Sequence, residues 1–90
     1  MGRRVIQIRG HRISDDEATA LVQGLTRYGD PVGVGLAERI DRGLLLGTAV
    51  IGTSHPEAAI LLNVIEAGTP ERVRELAADL RRYLGERQIA

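Results

Sequence analysis

Gly52-Thr53-Ser54-His55-Pro56 gathers more groups with chemical potential than any other short stretch of this 90-residue chain. A helix starting there would bring free backbone amides, two hydroxyls and an imidazole to its positive end, a geometry that binds phosphate or carboxylate groups. Thr53, Ser54 and His55 are therefore the candidate anion-binding residues. The simpler reading is that Ser54 caps the helix and His55 is solvated.

Other routes to chemistry are narrow. The chain has no Cys, which excludes disulfides, thiol catalysis and Cys-based zinc sites. His11 and His55 are the only histidines, and neither belongs to a His-x-x-x-His or His-Glu-x-x-His pattern, so no metal site is expected. Ser14 and Ser54 lack the Gly-x-Ser-x-Gly elbow that exposes a nucleophile on a strained turn. Gly33-x-Gly35 lacks the third glycine of a dinucleotide fingerprint and does not follow a strand, and there is no P-loop. The expectation is a protein that is not an enzyme and has no cofactor.

Lys+Arg is 12 and Asp+Glu is 12, so the formal net charge is zero and bulk attraction to nucleic acid or anionic membrane is absent. All the basic residues are Arg, which favours ion pairs and interfaces over diffuse charge. Aromatic residues make up 2% of the chain, only Tyr28 and Tyr83, which leaves little to stack on single-stranded bases. Hydrophobic residues at 43% suit one soluble domain spanning 1–90. The longest apolar runs, Leu44–Leu46 and Ala58–Leu62, are too short for a bilayer, and no secretory signal opens the chain, so the expected compartment is cytoplasmic.

These groups must be positioned by the elements the pattern predicts. Val5–Arg9 is β-branched and stops at Gly10, as a strand does. Ser14, followed three residues later by Glu17, makes a capping box for a helix over 15–28, with Ala18, Leu21, Val22 and Leu25 on one face and Gly29 at its end. Asp30-Pro31 starts a second, shorter helix bearing Val32, Leu36 and Ile40, which Gly43 is expected to stop. Leu44–Ile51 reads as a buried strand, parallel to the first if the helices form a crossover.

Residues 54–68 fit a helix capped by Ser54 and Glu57, exposing Ala59, Asn63 and Glu66 and burying Ile60, Leu61, Val64 and Ile65. Thr69-Pro70-Glu71 opens a last helix whose stripe is Val73, Leu76, Ala77, Leu80, Tyr83 and Leu84, with Gly85 at its end.

The expected fold class is α+β: a helix-rich single domain with a small sheet from strands near 5–9 and 44–51 and amphipathic helices packed on it. The alternative makes 59–66 a third strand, in a split β-α-β arrangement that resembles ferredoxin-like domains with one closing strand missing.

A chain this short hides only about 60–65% of its unfolded surface, and it carries several segments that are apolar on nearly every side. The functional expectation is a non-enzymatic protein–protein interaction or assembly module, a homo-oligomer or the permanent partner of another protein, with no membrane contact. Its interface is expected on Val73, Leu76, Leu80, Tyr83 and Leu84, rimmed by Arg74.

Arg3, Arg4, Arg9, His11 and Arg12 precede the first acidic residue, Asp15. A basic strand followed by two helices resembles the ribbon-helix-helix repressors over about half the chain. That resemblance implies a DNA-binding regulator in which strands of a dimer enter the major groove, with Arg4, Gln7, Arg9 and Arg12 as the nucleic-acid contacts. Gly29–Gly35 departs from that family's polar start to the second helix.

Overall fold

The computed structural model describes residues 5–68 and 73–89, with side chains described as far as residue 85. In chain order they form β1 (Val5–Ile8), β2 (His11–Ile13), α1 (Asp15–Tyr28), α2 (Pro31–Leu46), β3 (Thr48–Ile51), α3 (His55–Gly68) and α4 (Arg74–Ile89). This is the helix-rich α+β class expected.

The sheet has the order β2-β1-β3. β1 and β3 pair in parallel, with Val5 opposite Thr48 and Ile8 opposite Ile51. β2, which the sequence did not announce, pairs antiparallel with β1, placing Gln7 opposite Arg12. Arg9 and Gly10 join them with φ of 53° and 83°, the sign pattern of a type I′ hairpin turn.

Local signals set most helix limits. The Ser14 hydroxyl accepts from the Glu17 amide at 3.1 Å, and the Glu17 carboxylate accepts from the Ser14 amide at 2.8 Å. The Asp30 side chain accepts from the Val32 amide at 2.9 Å, ahead of Pro31 at the first helical position.

Two glycine stops fail. α2 runs past Gly43 to Leu46 and ends at Gly47, whose φ of 89° turns the chain into β3. Gly43 is a packing residue: a Cβ there would lie 2.5 Å from the Ala49 Cβ and 3.2 Å from the Ile6 Cδ1, so its bare backbone lets α2 sit over the seam between β1 and β3. The strand expected over 44–51 is therefore confined to Thr48–Ile51, and Leu44–Leu46 form the last turn of α2. α4 likewise passes through Gly85, whose φ is not positive, and continues to Ile89.

Residues 55–68 are helical, so 59–66 is not a strand and the ferredoxin-like alternative is excluded. Ala58, Leu61, Val64 and Ile65 are buried, while Asn63 and Glu66 are exposed. The Thr69-Pro70-Glu71 start lies outside the described residues.

Alternation divides the sheet. Ile6, Ile8 and Ile51 are buried and join the core with Leu21, Leu25, Leu36, Ile40, Leu61, Leu76 and Leu80. Val5, Gln7, Arg12, Thr48 and Val50 form the other face, exposed or half-buried. Among the described residues no helix is long and apolar enough to cross a membrane.

Candidate functional site

Because β1 and β3 are parallel, their carboxyl ends lie at one edge of the sheet, the position where open α/β sheets hold ligands. The Arg9 amide donates to the Ile51 carbonyl at 2.9 Å, bringing the β1–β2 turn beside Gly52-Thr53-Ser54. From α4, Asp79 accepts from the Arg9 Nε at 2.8 Å and lies 3.6 Å from the His11 Nε2. The Arg9 guanidinium lies 4.3 Å over the Tyr83 ring, and the His55 ring centroid is 6.1 Å from that of Tyr83. Arg9, His11, His55, Asp79 and Tyr83 therefore meet from three parts of the sequence. Asp79 was not singled out by sequence, since its position on the outer side of a helix carries no signal of a partner in a distant turn.

The chemistry open to this cluster is small. The hydrogen bond from Arg9 holds Asp79 below the usual carboxylate range against a smaller opposing effect of burial, helped by the charges of Arg9, His11 and Arg82. A carboxylate so held is a weak general base.

At the start of α3, burial pushes the Glu57 carboxyl up. The backbone and hydroxyl of Ser54, with Arg39, outweigh it and hold the group below its ordinary value. The Ser54 amide donates to Glu57 at 2.8 Å, and the Ser54 hydroxyl accepts from the Glu57 amide at 3.3 Å. Thr53, Ser54 and His55 do share one turn, but the Glu57 carboxylate, itself paired with Arg39, already occupies the capping position an anion would take. The Thr53 Oγ1 is buried without a hydrogen-bond partner among the described residues. Among those residues no three His, Asp or Glu side chains gather as a metal site.

The nucleic-acid residues are dispersed. Gln7 and Arg12 are cross-strand neighbours on the open sheet face, while Arg9 is drawn to Asp79 and Tyr83. Arg4 lies outside the described residues. β1 is the central strand with both edges paired inside the chain, so the two-chain ribbon implied by the ribbon-helix-helix resemblance has no free β1 edge.

Most residues expected at the interface are internal. Val73, Leu76 and Leu80 are 2%, 1% and 0% exposed and pack in the chain's own core, with Tyr83 and Leu84 half-buried against it and Arg74 exposed outside. The buried part of the α4 stripe faces this chain's own core.

Exposed apolar surface instead lies where α2 passes into β3: Leu45 is 81% exposed, Leu46 73% and Val50 79%. Leu46 and Val50 line a groove of about 250 Å³ that runs along β3 beneath Arg39 and Arg42. The strand's inner side is fixed by the Gly47 carbonyl, which accepts from the Val5 amide at 3.0 Å, and by the Ile51 carbonyl. By alternation the N–H and C=O groups of Thr48 and Val50 point away from β1, along an edge that no other described strand pairs. β3 has neither charge nor proline to guard that edge. Sequence reasoning missed this surface because it placed Leu45 and Leu46 in the sheet; the signal was Gly47, which separates the leucines from the strand.

Comparison of the chain with protein-family models, curated proteins and solved structures finds no match in any of the three.

Proposed function

We propose that this chain is a non-enzymatic assembly module that works by strand addition at the β3 edge. The observation that carries the reading is an unguarded edge strand that bears the exposed Val50 and directly follows the exposed Leu45 and Leu46. Strand addition satisfies the outward amides and carbonyls, and covering the side chains removes apolar area from water, each contributing about 1.5–3 kcal/mol when fully covered. The polar cluster around Arg9 supports a structural role, since its charged groups engage one another.

Val50→Pro is the direct test. The Val50 N–H points away from β1, so proline removes a donor from the free edge without breaking the internal ladder. Sedimentation velocity of the full chain should give a mass above the monomer for the wild type. Val50→Pro and Leu46→Glu should each give a monomer, with far-UV circular dichroism unchanged. A monomeric wild type up to millimolar concentration, or two variants that keep the wild-type mass, overturns the reading.

A further inference from the structure

Resting on the strand-addition reading, we infer that the strand accepted at the β3 edge is β3 of a second copy, antiparallel, in a closed two-fold dimer with Val50 on the axis.

The two edges of the sheet differ in how they are protected. β2 is three residues long and carries His11 and Arg12, whereas β3 is TAVI, uncharged throughout. Short length and charge are the usual guards of an exposed edge. Pairing β3 with β2 of another copy would leave an unguarded β3 at the end and grow into an open array. Pairing β3 with β3 hides both unguarded edges at once and leaves two guarded β2 edges at the ends of a six-stranded sheet.

The register follows from backbone direction. Only residues whose N–H and C=O point outward can form the hydrogen-bonded pairs of an antiparallel ladder. In β3 these are Thr48 and Val50, since Gly47 and Ile51 face β1. A two-fold axis at Val50 pairs it with its own copy and sets Thr48 opposite Gly52. The two exposed Val50 side chains then cover each other.

The chain has no cysteine, so a single introduced thiol reports the register. Paired Val50 Cα atoms lie about 5.5 Å apart in such a ladder, within the disulfide range of about 4.4–6.8 Å. Two Thr48 Cα atoms lie about 14 Å apart, four residues of strand rise, outside that range. Under mild oxidation Val50→Cys should become a covalent dimer and Thr48→Cys should not.

A dimeric mass without the Val50→Cys crosslink, equal crosslinking by Thr48→Cys, or a mass that keeps rising with concentration overturns the two-fold arrangement. Each of those results leaves strand addition standing. If Val50→Pro leaves the mass unchanged, strand addition itself fails and this inference goes with it.

Discussion

The guanidinium of Arg9 lies 4.3 Å over the ring of Tyr83, joining the tightest turn of the sheet to the last helix. The contact spans almost the whole sequence and is reinforced by Asp79 one helical turn earlier. It fixes α4 against the carboxyl ends of β1 and β3. Arg9 meets this demand from a left-handed backbone, φ 53°, where a side chain is ordinarily disfavoured.

That combination separates two energies. Arg9→Ala keeps the backbone strain and removes the stacking and the ion pair, and should destabilise the fold by about 1–2 kcal/mol. Arg9→Gly removes the same contacts but relieves the strain, and should recover about 1 kcal/mol of that loss. Urea midpoints of the two variants measure the difference; equal midpoints would mean that the turn carries no strain.

Asp79 should shape the acid limb of stability. Its carboxyl is held down, first by the hydrogen bond from Arg9, so the folded state binds its proton less readily than the unfolded chain. The contribution is complete above the unfolded carboxylate value, about pH 4, and is lost as pH falls through the lower folded value. Asp79→Asn should therefore be less stable than wild type at pH 7, with the gap closing as pH falls below about 4. A gap that stays constant over that range would show that the charge is not the source.

Thr53 offers the sharpest test of an anion site. Its hydroxyl is buried without a partner among the described residues, so Thr53→Val should be neutral or stabilising by up to about 1 kcal/mol. Inorganic phosphate should leave the melting temperature of the wild type unchanged. A phosphate-dependent rise that Thr53→Val abolishes would restore the anion-binding reading.

Where a capping residue and an apolar stripe coincide, the fold is readable before it is seen. Ser14 with Glu17 and Asp30 with Pro31 place the starts of α1 and α2 at the observed residues. Glycine is the ambiguous letter. Gly43, read as a stop, is a close approach to Ala49, while Gly47, read as part of a strand, is the stop. The two uses look alike in one dimension, because what distinguishes them is a neighbour elsewhere in the chain. β2 was illegible for a related reason: His11-Arg12-Ile13 has one apolar residue, and it is a strand only because β1 lies beside it. The exposed apolar surface was missed through the same error, since the leucines assigned to the interior belong to an exposed helix end.

The parallel pairing of Val5 with Thr48 spans two complete helices, and this has a consequence for biosynthesis. The N-terminal hairpin leaves the ribosome with one flank of β1 bare, and that flank stays bare until Ile51 has emerged. Contacts so distant in sequence form late. Until then that flank is an open strand edge, and translation through α1 and α2 sets how long it stays open.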